Sequence, residues 1–225
     1  SFASFVADSI ERDYGYPKSK VFPIGAGAIR RWETMEEPTR ARYDRKRILF
    51  VGRAFERKGG DTLIEAFKKV RERVPDATLT VVSSMGKFEA GPGIEHIPFA
   101  SNEQLHELYL NSSVFCMPTK CETWGLVFVE AASHGLPIVG FDDWALPDIV
   151  DNGVTGILTS NRTADGLADA LVTALQDPAK LHDMGKAAVR RVRDVLEWPH
   201  VMDRFLHAVL PEALEGKEPV WLRPR

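Results

Sequence analysis

The chain has 225 residues, 44% of them hydrophobic and 27% charged, and its 29 basic and 32 acidic side chains leave a net charge of −3. That balance suits an ordinary soluble fold and offers no basic surplus for nucleic acid or an anionic membrane. No apolar run approaches the roughly 20 residues of a membrane span, and SFASFVADSIERD lacks the basic start and apolar core of a signal peptide.

In chain order, Phe2, Phe5, Val6 and Ile10 recur near helical spacing over residues 1–14, and Gly15 closes that helix. A short strand over 20–24 and a charged, patternless surface connector over 28–46 are expected next. From residue 47 on, strands alternate with helices. Residues 48–51 read as a buried strand and 52–60 as its loop; Asp61 is the expected cap of a helix whose Leu63, Ile64, Phe67 and Val70 form one stripe. Strands follow at 78–82 and 94–97. Ser101-Asn102-Glu103-Gln104 is a capping box opening a helix with Leu105, Leu108 and Tyr109. Further strands are read at 114–117, 137–141 and 156–159, and helices at 164–175 and at 178–196, the latter with Pro at its first position. Trp198-Pro199 breaks the pattern before a last helix to about 214 and a frayed tail.

Such alternation, with nearly continuous apolar strands, predicts an α/β fold: a Rossmann-like, doubly wound parallel sheet of about six strands with helices on both faces. Ligands of such sheets bind beyond the C-terminal strand ends. In the usual 3-2-1-4-5-6 order the loops after the first and fourth strands converge at the switch point.

The chemistry concentrates in KCETWGLVFVEAASHGLPIVG, residues 120–140. A loop delivers Glu122, Thr123 and Trp124, and a nearly all-apolar helix starts near Gly125, carries Glu130 and stops at Gly135. A charge amid apolar residues calls for a partner unless it lies on the helix's wet face, which is the alternative for Glu130. On one helix the two glutamates, eight positions apart, would stand about 12 Å apart, beyond the ~5 to 9.5 Å of paired glycosidase carboxylates. Between them lie the free amides of a helix N-terminus at Thr123, Trp124, Gly125 and Leu126, which attract anions. Carboxylate, anion seat, carboxylate describes a receptor for hydroxyls, phosphate and hydroxyls, a layout that a nucleoside diphosphate sugar has.

These residues resemble the donor-site signature of the large retaining glycosyltransferase family 4, of GT-B fold: Glu122 and Glu130, then Ala-Ala-x-x-Gly-x-Pro-Ile-Val. ILFVGRAFERKGGDTLIEAF (48–67) is similar to the family's strand, Arg-x4-Lys-Gly loop and helix, and LPDIVDNGVTGILT (146–159) to its late segment. The resemblance runs from Ile48 to about Trp198. It implies that Glu122 contacts the donor sugar, Glu130 the ribose hydroxyls, and Arg53 and Lys58 the diphosphate, with Gly52 beside them. It also implies that residues 1–46 are an inter-domain helix, strand and connector, 47–198 the nucleotide-sugar-binding domain and 199–225 a C-terminal helix and tail. The family's Ile-Pro-Asn-Gly-Val-Asp turn reads Ile24-Gly25-Ala26-Gly27-Ala28-Ile29 here, without its Asn and Asp. Trp124 replaces the commoner Phe or Tyr and either shapes the sugar pocket or packs the loop. Asp143-Trp144-Ala145 stands where the family often has a Gly pair.

No Walker loop, G-x-G-x-x-G fingerprint or G-x-S-x-G elbow occurs, which weakens ATPase, dehydrogenase and hydrolase readings. The six histidines show no metal spacing; His134 sits where its charged form would favour a helix C-terminus. Cys116 and Cys121 lack partners for a zinc site and read as reduced, buried thiols of a cytoplasmic protein. The expectation is a donor-binding domain taking a UDP sugar, with Arg53, Lys58 and Glu122 catalytic and no metal or other cofactor. Its acceptor half lies in a missing N-terminal domain of the parent protein, a piece lacking an initiating Met. The alternatives are a non-catalytic nucleotide-sugar sensor and, more weakly, a sugar-phosphate hydrolase or isomerase on the same fold.

Overall fold

Short, mostly apolar runs become strands, and the computed structural model shows six of them. It describes residues 1–28, 38–84, 88 and 90–210. The strands are β1 (Arg47–Val51), β2 (Thr78–Val82), β3 (Ile94–Ile97), β4 (Val114–Cys116), β5 (Ile138–Phe141) and β6 (Gly156–Thr159). They form one parallel sheet in the order β3-β2-β1-β4-β5-β6, with registers such as Leu49↔Thr80, Leu49↔Phe115 and Phe115↔Ile138. β4 and β5 are buried along their whole length, as central strands covered on both faces must be. The covering helices are α1 (Ser4–Tyr14), α2 (Gly60–Arg73), α3 (Asn102–Asn111), α4 (Leu126–Ser133), α5 (Leu146–Ile149), α6 (Ala164–Gln176), α7 (Pro178–Arg191) and α8 (Trp198–Val209). Fully buried Phe50, Phe67, Phe115 and Phe128 lie in one core with the aliphatic faces of the strands. Among the described residues no helix is long and apolar enough to cross a membrane.

Local chemistry sets the helix boundaries. The capping box at Ser101 forms, with Gln104 N–H on the Ser101 hydroxyl and the Gln104 side chain on Ser101 N–H. Thr163 caps α6 and Asp177 caps α7, which has Pro178 at its first position. Asp61, by contrast, caps nothing. α2 starts one residue earlier behind Gly59, and Asp61, inside the first turn, takes the Lys120 ammonium at 2.6 Å instead.

Several expectations fail for identifiable reasons. Residues 20–24 form no strand: Lys18–Lys20 is a 3-10 turn, and Ile24 N–H and Gly25 N–H donate to the Ser1 and Phe2 carbonyls. The connector over 28–46 is not merely surface. Residues 29–37 lie outside the described residues, but Arg40–Arg45 is a 3-10 helix whose Arg42 and Tyr43 are buried. Arg42 donates to the carbonyls of Ser112, His134 and Tyr109 at 2.9, 2.7 and 3.0 Å, and Tyr43 to that of Gly135 at 2.6 Å. His134 is accordingly not a charged cap. It is buried against His106 and near Arg42, and desolvation lowers its pKa to about 4, so the ring is neutral. Cys116 is buried, and burial pushes its thiol up, whereas Cys121 is exposed. The helix read at 178–196 is α7 followed by a π-helical turn, Val192–Leu196. α8 starts at Trp198 itself, with Pro199 tolerated in its first turn. The helix end near 214 and the frayed tail lie outside the described residues.

Candidate functional site

The strand order brings the loop after β1 and the loop after β4 side by side, and short-range bonds lock them. Lys120 N–H donates to the Arg57 carbonyl at 3.0 Å, and the Arg57 guanidinium to the Cys121 carbonyl at 3.2 Å. Gly59, at φ 74°, lies so close to the Pro118 carbonyl that a Cβ there would stand 1.9 Å from its oxygen. Only glycine permits that approach.

Beyond these crossed loops, at the C-terminal ends of β1 and β4, opens a cleft of about 520 Å³. Gly52, Arg53 and Lys58 line it from the first loop; Glu122, Thr123 and Trp124 from the second; Gly125, Leu126 and Glu130 from the start and body of α4. All nine residues singled out in the sequence thus meet in one cleft. Their environments differ. Arg53 and Thr123 are exposed, Lys58 and Glu130 half-buried, and Gly52, Glu122 and Trp124 buried. The Lys58 ammonium and the Glu122 carboxylate form an ion pair, with side chains 14% and 7% exposed.

α4 presents its N-terminus to the cleft. Gly125, at φ 79°, precedes it with no side chain capping the helix, so nothing from a side chain competes for the first amides. A Cβ on Gly125 would stand 2.7 Å from the Phe128 ring and 3.0 Å from the Glu122 carboxyl carbon, so glycine also keeps this turn narrow. Trp124 has both roles weighed for it. Its indole lines the cleft, and its Nε1–H donates to the buried Ala26 carbonyl at 2.9 Å. The same ring covers Gly25, where a Cβ would meet it at 3.1 Å.

Five lining residues escaped the sequence reading: Phe2, Ala26, Val51, Leu105 and Val127. Val51 and Val127 adjoin residues already chosen, and Leu105 reads from the sequence only as a residue of α3. Ala26 reaches the cleft through its bond from Trp124, and Phe2 lies beside it through the bond of its carbonyl to Gly25 N–H, neither of which a local pattern announces. Among the described residues no group of three His, Cys, Asp or Glu side chains is placed to hold a metal ion.

Cations from one loop, a helix N-terminus from the other and two carboxylates make a receptor for an anionic group flanked by hydroxyls. Known proteins similar to the chain are glycosyltransferases. The chain is 33% identical over 166 residues to a D-inositol 3-phosphate glycosyltransferase of Kribbella flavida, covering 65% of this chain and 39% of the relative. It is 30% identical over 198 residues to a GDP-mannose-dependent alpha-(1-6)-phosphatidylinositol monomannoside mannosyltransferase of Mycolicibacterium smegmatis, covering 79% and 50%. The chain therefore spans half or less of the length of these relatives. Its fold is shared with a TarM variant of S. aureus solved with fondaparinux, alpha-GlcNAc-glycerol and UDP, at a TM-score of 0.75, 14% identity and coverage of 90% and 41%. A family model described as glycosyl transferases group 1 matches residues 32–191. The chain belongs to the group 1 glycosyl transferases.

Proposed function

We propose that this chain is the donor-binding, C-terminal domain of a retaining, family 4 glycosyltransferase. The supporting observation is the meeting of Arg53, Lys58, the α4 N-terminus and Glu130 in one cleft at the switch point. The diphosphate of a nucleotide sugar lies between the two cations and the amides at Gly125 and Leu126. Glu130 grips the ribose, and Glu122 orients the sugar. Arg53 and Lys58 neutralise the charge that builds on the departing diphosphate, a contribution of about 3 kcal/mol per well-placed donor. The chain's own cations and amides serve here without a metal cofactor. UDP is the favoured nucleotide; GDP is the second reading, resting on the GDP-mannose dependence of the M. smegmatis relative. The acceptor wall belongs to a further half of the parent protein, in keeping with the 39% and 50% of the relatives that this chain spans.

A thermal-shift panel of UDP, GDP, ADP and TDP tests the donor site, because a ligand of the folded state alone raises the melting temperature. Lys58→Ala should weaken nucleotide binding by about 1.5 to 3 kcal/mol, as loss of a charge-assisted hydrogen bond does. Unchanged calorimetric affinity would remove Lys58 from the site. Glu130→Gln should weaken free nucleotide and sugar nucleotide alike; damage to the sugar nucleotide alone would mean that the two glutamates exchange roles. The isolated chain should transfer no sugar, since orientation of both reactants supplies roughly 7 to 11 kcal/mol of barrier lowering. Joined to its acceptor half it should transfer with retained anomeric configuration. Donor binding without transfer in the joined protein would instead mark a nucleotide-sugar sensor.

A further inference from the structure

Trp124 is shared by the cleft and by the segment that precedes the α/β body. It lines the cleft, and it also lines a second cavity of about 180 Å³ together with Pro23, Ile24, Gly25 and Arg204. Its Nε1–H donates to the buried Ala26 carbonyl at 2.9 Å, and a Cβ at Gly25 would meet its ring at 3.1 Å. Its backbone lies between Glu122 and Gly125, in the turn that presents the N-terminus of α4 to the cleft. Ala26, the acceptor of the indole, lines the cleft as well. Trp198 holds the same segment at the Ala28 carbonyl but has no part in the cleft lining.

The buried side chains of residues 1–28 are only those of Ala3, Ala7 and Ala26, so this segment opens at a lower cost than the body unfolds. When it lifts away, the indole loses both its acceptor and its cover, and the bond that fixes the ring's orientation in the cleft is gone. A ligand that fills the cleft holds the ring toward Ala26. Two events that share one side chain in this way are linked, and each strengthens the other by the same factor. We propose that Trp124 is a positioning residue that couples occupancy of the cleft to docking of residues 1–28. Arrival of a nucleotide fixes the segment, and release of the segment loosens the nucleotide. This inference rests on the donor-site reading above and adds a regulation of that site.

The test is hydrogen exchange on this chain with and without UDP or GDP, each at about 100 times the Kd that calorimetry gives for the protein in use. At that concentration a ligand that binds only the docked form slows exchange through segment opening by up to about 100-fold. In wild type the amides of Ile24 and Gly25, bonded to the Ser1 and Phe2 carbonyls, should slow by at least about tenfold. The amide of the exposed Val154, bonded to the Asp151 carbonyl outside the cleft lining, should not change. Trp124→Phe keeps a ring without the indole N–H and should reduce the slowing to no more than about twofold, whereas Trp198→Phe should leave it in place. The wild-type comparison needs no variant, so it stands even where Trp124→Phe folds poorly. Unchanged exchange at Ile24 and Gly25 in wild type, or equal slowing at Val154, overturns the coupling, while a measured Kd leaves the donor site intact. Slowing that survives Trp124→Phe takes Trp124 out of the coupling and overturns its role. Binding of neither nucleotide by wild type overturns the donor site and the coupling together.

Discussion

The α/β body and the segment that precedes it, residues 1–28, are held in place by different forces. In the body the anchors are large: Phe50, Phe67, Phe115, Phe128, Tyr43 and Tyr109 are all at most 1% exposed. In residues 1–28 the buried side chains are only Ala3, Ala7 and Ala26, with the glycines at 25 and 27, whereas Phe2 and Phe22 remain about half exposed and Tyr14 is 82% exposed. What fixes this segment is hydrogen bonding to its carbonyls and its helix start. Trp124 holds the Ala26 carbonyl, Trp198 that of Ala28 and Arg204 that of Ile24, at 2.9, 2.9 and 3.0 Å. Asp148 takes both the backbone N–H and the hydroxyl of Ser4, at 2.7 and 2.6 Å. Burial stabilises the body; side chains of the body clasp the segment. Because Trp124 belongs to both, the clasp forms one wall of the cleft.

Truncating an aromatic in each region breaks or confirms this contrast with the largest effect. Phe115 packs edge-on against Phe128 and tilted against Tyr109, with centroids 5.7 and 6.4 Å away. Phe115→Ala should cost about 3 to 5 kcal/mol in urea unfolding. Phe22→Ala, at a half-exposed ring, should stay within about 0.5 kcal/mol. Comparable losses would show that the segment is bound by apolar burial after all.

The body also contains a titration that the segment lacks. His134 is neutral when folded, its pKa lowered from 6.5 to about 4 by burial, then by the nearby charges of His106 and Arg42. Above pH 6.5 the ring is neutral folded or unfolded and adds no pH dependence. As pH falls from 6.5 towards 4, only the unfolded chain takes up the proton, so stability drops by up to about 3 kcal/mol. Between pH 7 and 5 wild type should therefore lose more stability than His134→Gln. Parallel curves for the two proteins would contradict a neutral, buried ring.

The same contrast explains what the sequence could say. Most strands of the body are apolar runs and each long helix has an apolar stripe, so the sheet was legible from period and punctuation. Strand order and switch point, by contrast, were expected from the usual order of such sheets. The cleft followed, because Arg53, Lys58, Glu122 and Glu130 sit at fixed places in that frame. Short or partner-dependent features did not follow. α5 has four residues with Pro147 inside its first turn, too few to show a period. Residues 20–24 look extended, but Pro23 has no N–H for a ladder, and their partners turn out to be the first two residues of the chain. Arg42 sits within a charged run and gives no sign that three distant carbonyls await it. The Lys58–Glu122 pair joins residues 64 apart, and only loop geometry creates it.

The smallest effect distinguishes the two tryptophan clasps. Trp124 is 5% exposed and its acceptor Ala26 4%, so Trp124→Phe leaves a carbonyl with neither its donor nor free access to water, at a cost of about 1 to 3 kcal/mol. Trp198 is 45% exposed, and water can replace its N–H at the Ala28 carbonyl, so Trp198→Phe should cost about 0.5 kcal/mol or less. Trp198 lies outside the apolar core, and at Trp124, which belongs to it, Phe keeps an aromatic ring in place. The loss should therefore appear as local opening of residues 1–28 rather than as a lower global stability. Hydrogen exchange reads this at the amides of Ile24 and Gly25, which donate to the Ser1 and Phe2 carbonyls at 3.0 Å each. Their exchange should speed up about tenfold in Trp124→Phe, a factor equal to about 1.4 kcal/mol of local opening, and by no more than about twofold in Trp198→Phe. The reverse order would place the clasp at α8 and take Trp124 out of it, leaving the cleft wall formed by Phe2 and Ala26 to depend on the C-terminal helix.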